Sequence, residues 1–251
     1  MKSENIEFTG ALGDKLSARL DIAEDDSTIF ALFAHCFTCS KNLKAVGHIT
    51  KSLAKRGIST FRFDFTGLGQ SDGEFANTNF SSNVGDLVAA ADYMESKLEA
   101  PSLLIGHSLG GAAVLHAAHE LDSVKAVATI GAPSDPTHVK ENFSMKLDEI
   151  EESGEAQVTL AGRPFKIKKQ FLDDLEAAGS EDKISTLNRA LLIMHSPTDQ
   201  TVGIDNAAKL YSGARHPKSF VSLHRADHLL TNPEFSKYAG KLIAQWSEIY
   251  I

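Results

Sequence analysis

A doubly wound α/β domain, with a mostly parallel twisted sheet, helices on both faces and an inserted cap, is the fold class that three patterns in this sequence predict. Short β-rich apolar runs recur at long intervals, and stretches with helical spacing separate them. Alternation of that kind implies crossover connections over a parallel sheet. In one place the rhythm is broken by a segment of roughly fifty residues, far longer than a plain crossover needs.

Taken in order, the strand candidates are Ile29 to Ala34, Ile58 to Phe63, Ser102 to Gly106, Val124 to Ile130, Ala190 to His195 and Ser219 to His224. Each is a short apolar run of the kind a buried strand requires. Helical spacing joins Leu43, Val46, Ile49 and Leu53, then Val84, Leu87, Val88, Ala91, Met94 and Leu98, and finally Phe235, Tyr238, Leu242, Ile243 and Trp246. The interruption lies between Ala132 and Asn188, so residues 134–188 are expected to be a cap within a single domain spanning 1–251. Inside it Phe143, Leu147 and Ile150 share a helical face, as do Phe171, Leu172 and Leu175. Between them Val158 with Leu160 and Phe165 with Ile167 alternate around Ala161-Gly162-Arg163-Pro164, which predicts a helix, hairpin, helix order. Both a lid over a site and a structural decoration are consistent with that order.

At 251 residues, 42% apolar and 23% charged, the chain can bury one full core and lacks the bias of disordered or fibrous proteins. Its formal charge of -8, from 33 acidic and 25 basic residues, repels phosphate backbones and anionic bilayers, so neither nucleic acid nor a membrane is an expected partner. No apolar stretch reaches the roughly 20 residues that span a bilayer, and the N-terminus carries no apolar signal core. A cytoplasmic location is expected. The two cysteines, Cys36 and Cys39, are too few for a secreted disulfide framework.

The strongest local signal is Gly106-His107-Ser108-Leu109-Gly110-Gly111, which follows the apolar run Leu103-Leu104-Ile105 and precedes the helix-like Ala112-Ala113-Val114-Leu115. A strand, a tight turn and a helix around Gly-x-Ser-x-Gly form a nucleophile elbow, in which the glycines leave room for the serine to project. Ser108 is therefore the candidate nucleophile. A serine hydroxyl needs a base to take its proton and an acid to orient that base. Asp199, in the loop after Ala190 to His195, and His228, in the loop after Ser219 to His224, occupy the strand-end positions where distant residues converge. His224 is the nearest rival base, but it falls within the strand pattern. Asp227 adjoins the base and would have to curl back onto it, and Asp205 is expected to cap the following helix.

Acyl transfer also requires backbone N–H groups aimed at the oxyanion. Leu109, after the nucleophile, supplies one; in the early loop His35-Cys36-Phe37-Thr38-Cys39, Phe37 is the choice for the second and Cys36 the alternative. Cys36-x-x-Cys39 has redox spacing without the rest of a thioredoxin pattern, so a structural or incidental pair is expected. His116 with His119 and His224 with His228 have chelating spacings but no matching acidic or cysteine companion, so no metal and no cofactor are expected. The glycine-rich run Asp64 to Gly73 lacks the lysine of a phosphate loop.

The elbow, the Asp64-x-x-Gly67-x-Gly69-x-Ser71 turn and the order Ser, Asp, His together resemble the α/β-hydrolases. More narrowly, the stretches around His35 to Ser40, Phe61 to Asp72, Phe75 to Ser82 and Ala126 to Pro136 resemble the hydrolase part of bacterial proteins fused to an OsmC-like domain. That part is similar in turn to capped cinnamoyl or feruloyl-type esterases. The resemblance implies an α/β-hydrolase fold and a serine esterase cleaving short-chain or aromatic acyl esters, with Ser108, Asp199 and His228 as its triad. The loop departs from the family in reading His35-Cys36-Phe37 where many members carry His-Gly. The expected partner is a small-molecule ester. Self-association into a homo-oligomer and an OsmC-like partner domain outside this chain are left open, as are an aminopeptidase or amidase using the same triad and a non-catalytic interaction module.

Overall fold

The computed structural model describes residues 2–23, 29–180 and 182–251; Glu181, within the expected insertion, lies outside them. In chain order the elements begin with β1 (Ser3–Thr9), β2 (Lys15–Asp21), β3 (Ile29–Ala34), α1 (Lys44–Ala54) and β4 (Ile58–Phe63). There follow α2 (Phe80–Lys97), β5 (Leu103–His107), α3 (Leu109–Ala117) and β6 (Ala126–Ile130). A 3-10 segment (Pro136–Lys146), α4 (Leu147–Ser153), β7 (Glu155–Leu160), β8 (Arg163–Lys168) and α5 (Lys169–Gly179) fill the long interval. The chain closes with β9 (Ala190–His195), α6 (Asp205–Gly213), β10 (Lys218–Ser222) and α7 (Pro233–Ser247).

Among the described residues the main sheet runs β1-β2-β4-β3-β5-β6-β9-β10. From β4 to β10 every neighbouring pair is parallel, whereas β1 with β2 and β2 with β4 are antiparallel. The period-2 alternation of buried strands sorts their side chains onto two faces. Leu32, Leu104, Val127, Leu191 and Ile193 meet α2, α3 and α6 on one face. Phe33, Ile105, Ala128, Leu192 and Met194 meet α1 and α7 on the other. The segment between β6 and β9 builds no separate core: Phe143, Ile150, Val158, Ile167 and Phe171 join the first cluster. No helix among the described residues is long and apolar enough to cross a membrane.

The N-terminal hairpin, β1 and β2, was not among the expected strands. Its β1 is a sheet edge on which only Phe8 is buried, and β2 buries Leu16, Ala18 and Leu20 while Lys15 stays exposed. A strand with a solvated face alternates instead of forming a continuous apolar run. The last strand is also shorter than expected: β10 ends at Ser222, and His224 is an exposed residue of the following turn, not fixed against the sheet. Asp205 does not cap α6. It is the first helical residue, Ile204 occupies the cap without a side-chain bond, and the Asp205 carboxylate pairs with Lys209 at 3.3 Å.

Candidate functional site

Ser108 stands between β5 and α3 with φ +57 and ψ -127, a conformation that a non-glycine residue rarely adopts. The tightness of the turn explains its glycines. A Cβ at Gly106 would lie 2.3 Å from the Gly110 carbonyl, and one at Gly110 would lie 2.4 Å from the His35 carbonyl. The Ser108 amide donates to Ile130 O at 2.9 Å, tying the turn to the end of β6.

Two loops from the same sheet edge complete the group. Asp199 follows β9: its Oδ1 accepts from the amides of Thr201 at 2.8 Å and Val202 at 3.0 Å, and its Oδ2 accepts from His228 Nδ1 at 2.8 Å. His228 follows β10, and its Nε2 is 2.9 Å from Ser108 Oγ, placed to take the hydroxyl proton. The Nδ1–H tautomer is assigned from its carboxylate partner. Burial alone would raise the Asp199 carboxyl, but the His228 bond, the Val202 and Thr201 amides and the nearby imidazole hold it below the usual carboxylate range. The structure thus brings together Ser108, His228 and Asp199, residues that the sequence separates by 120 and 29 positions. Of the rivals, Asp227 is committed to the amide and hydroxyl of Thr231, and His224 is exposed outside this group.

Leu109 is the first residue of α3, and Phe37 lies in the loop after β3; with Cys36 and Gly110 they border one narrow cavity. Its wall is mostly apolar, with Phe65, Leu68 and Phe75, and also includes His35 and Asn83. Phe37 packs against Phe75 at 5.8 Å and against Phe171 of α5 at 5.7 Å, and Phe75 meets Phe165 of β8 at 4.8 Å. The Arg163 guanidinium, at the start of β8, donates to the Thr38 carbonyl. The long β6–β9 segment therefore touches the loop that carries Phe37. Cys36 and Cys39 are joined as a disulfide.

Several supporting residues had no role in the sequence reading. His107, the variable position of the elbow, donates from Nε2 to the His228 carbonyl at 2.7 Å, and the two rings lie 5.1 Å apart. Burial, reinforced by the His228 charge, pushes His107 down to about 3, so the ring stays neutral beside the pair it braces. His195 donates from Nε2 to Val202 O at 2.8 Å, fixing the turn that feeds amides to Asp199. Gly131, with φ +55, leaves room where a Cβ would sit 3.2 Å from Asp199 Oδ2. Beneath the early loop, Asp64 accepts from the Lys41 amide and from Lys41 Nζ, both at 2.6 Å, and from the Gln70 amide at 2.9 Å. The glycine-rich turn is thus a brace: a Cβ at Gly69 would collide with the Asp64 carboxylate at 2.3 Å. Its motif position was visible, but its buried partner Lys41 was not. Among the described residues no group of three or more metal-ligating side chains is gathered.

Residues 40–149 match the family described as "Serine aminopeptidase, S33". The chain is 22% identical to an uncharacterised protein, YfhR, of Escherichia coli K12 over 231 residues, covering 90% of this chain and 74% of that protein. It is 34% identical to the mitochondrial palmitoyl-protein thioesterase ABHD10 of Rattus norvegicus over 119 residues, covering 46% of this chain and 38% of that protein. Among solved structures, Est1E of Butyrivibrio proteoclasticus with ferulic acid bound superposes with a TM-score of 0.76 at 22% identity, over 96% of this chain and 98% of that one. The esterase domain of a Rhodothermus marinus protein superposes with a TM-score of 0.81 at 50% identity, over 100% of this chain and 99% of that one. With that identity maintained end to end on this fold, the chain belongs to the α/β-hydrolase family.

Proposed function

We propose that the protein is a serine carboxylesterase that cleaves short-chain or aromatic acyl esters through an acyl-enzyme intermediate. The observation that carries the reading is the unbroken hydrogen-bond relay from Asp199 Oδ2 through His228 to Ser108 Oγ, at 2.8 and 2.9 Å. Ser108 attacks the ester carbonyl as His228 takes its proton; Asp199 stabilises the imidazolium that forms. The amides of Leu109 and Phe37 hold the oxyanion, and His228 then protonates the leaving alcohol and activates water for deacylation. The aromatic side chains of Phe37, Phe65 and Phe75 beside Leu109 suggest short-chain or aromatic acyl groups, although the cavity they line here is little wider than a water molecule and would have to open to admit an acyl group. The segment between β6 and β9 serves as a cap, since Phe171 and Arg163 reach the loop that carries Phe37.

A second reading, hydrolysis of amino-acid amides by the same residues, is favoured by the serine aminopeptidase description of the matching family. Fluorophosphonate labelling mapped by peptide mass spectrometry, with parallel rates on a p-nitrophenyl ester series and on amino-acid p-nitroanilides, separates the two. Labelling at Ser108 with ester turnover that the Ser108→Ala variant loses supports the esterase. Turnover confined to anilides would replace it with the amidase, and full activity in Ser108→Ala would sink both.

A further inference from the structure

Ester hydrolysis leaves one motif without a task, the pair Cys36 and Cys39. Their disulfide, with Cα atoms 5.4 Å apart, closes a ring around Phe37 and Thr38, so the amide assigned to the oxyanion lies inside the ring. The Cys39 amide donates to Cys36 O at 3.1 Å, which makes the four residues a turn, and Thr38 in its third position has φ +59. Turns with a left-handed third residue select glycine or asparagine; a β-branched residue there is strained.

The disulfide is the covalent tie among the contacts that hold that turn. Upstream the loop hangs from Ala34, the end of β3, and downstream it is next fixed at Lys41 on Asp64. Between these anchors, among the described residues, the turn is held by its own backbone bond, a His35 side-chain contact to the Cys36 carbonyl at 2.8 Å, the Arg163 contact to Thr38, the Phe37 ring against Phe75 and Phe171, and the disulfide. The two cysteines also differ in burial: Cys36 is buried whereas Cys39 is half-buried.

We propose that Cys36 and Cys39 form a thiol–disulfide exchange site for a dithiol reductant, and that opening it releases the Phe37 amide from the oxyanion position. The inference rests on the ester-hydrolase reading. A thiolate of the dithiol attacks Cys39 Sγ, the S–S bond breaks, and Cys36 leaves as a thiolate that takes a proton from solvent. The reductant's second thiolate then attacks its own sulfur in the mixed disulfide and expels Cys39, which is protonated in turn. The protein disulfide gains two electrons and two protons, and the dithiol becomes a cyclic disulfide. Once the ring is open, Thr38 relaxes out of its left-handed conformation and carries the Phe37 backbone with it. The lost donor acts on the transition state, so the change falls on kcat and not on KM.

The test is reduction of the native protein with dithiothreitol, desalting, and steady-state hydrolysis of a p-nitrophenyl ester, with thiols counted in parallel by mass after iodoacetamide. Alkylation of both cysteines should accompany a fall in kcat of about tenfold or more, with KM changed by less than about twofold, reversed on reoxidation by oxidised glutathione. The Cys36→Ser/Cys39→Ser double variant should show the low kcat and no response to reductant; should it fail to fold, the reversible wild-type titration still decides. Full alkylation with kcat unchanged, or a disulfide that native reduction does not open, would overturn this inference alone. Absence of ester turnover in the oxidised protein would remove the ester reading and this inference together.

Discussion

Replacing His107 by Gln should remove a large part of the acid sensitivity of the fold. In the native protein the His107 ring is buried, donates to the His228 carbonyl, and titrates at about 3 instead of its ordinary 6.5. Between those two values the unfolded chain binds a proton at this ring and the native protein does not. Stability therefore falls as pH falls through 6.5 and goes on falling until about 3, where the native ring protonates as well. The full window is 3.5 pH units, about 5 kcal/mol at 1.4 kcal/mol per unit. At pH 5, one and a half units below 6.5, the cost is about 2 kcal/mol. The native ring is still neutral there, so that figure is set by the unfolded state.

Glutamine can still donate to the His228 carbonyl but carries no titratable group. Urea unfolding of both proteins at pH 8 and pH 5, followed by far-ultraviolet circular dichroism, isolates the effect. Burial also lowers His35 and raises Asp86, and those contributions are common to both proteins and cancel in the difference. The wild type should lose about 2 kcal/mol more than His107→Gln between the two pH values. An equal loss in the two proteins would refute the reasoning, because it would mean that the buried ring takes up its proton without opposing the fold.

Three further changes probe other parts of the site. Asp199→Asn should lower kcat on a p-nitrophenyl ester by about 10⁴ with little change in thermal midpoint, since the amide leaves His228 in the wrong tautomer; a loss under tenfold would remove Asp199 from its role. Phe37→Pro deletes an amide hydrogen at a turn position that proline accepts, and should lower kcat by about 10² to 10³ relative to Phe37→Leu, which keeps the amide; equal rates in the two variants would shift the donor to another residue. Lys41→Met leaves the Asp64 carboxylate buried without its cation, and should cost about 3–5 kcal/mol in urea unfolding; a cost below about 1 kcal/mol would mean that the pair braces nothing.

What was legible in the sequence follows from how each residue is constrained. Strands β3 and β9 have the bounds expected of them because burial on both faces writes a nearly continuous apolar run, and β4 does so through Ile58, Phe61 and Phe63 although it also buries Ser59, Thr60 and Arg62, whereas the half-solvated β1 and β2 write none. That Ser108, Asp199 and His228 meet could be anticipated because a turn at φ +57 dictates the glycine neighbours of Ser108, and because strand-end loops are countable along the chain. His107, by contrast, acts on a carbonyl 121 residues away, and nothing in the spacing of a lone histidine encodes that meeting. Lys41 likewise reads as an exposed cation until the fold buries it on Asp64. The early loop is a different case, since there the local rule fails. A left-handed turn position asks for glycine and holds Thr38, within a ring closed by two cysteines and gripped from outside by Arg163. Strain of this kind persists only where the surroundings over-determine the backbone, and it gathers at sites whose geometry matters more than their stability. The departure at Thr38 is thus itself a signal, pointing to the same loop from which the Phe37 amide is assigned to the oxyanion.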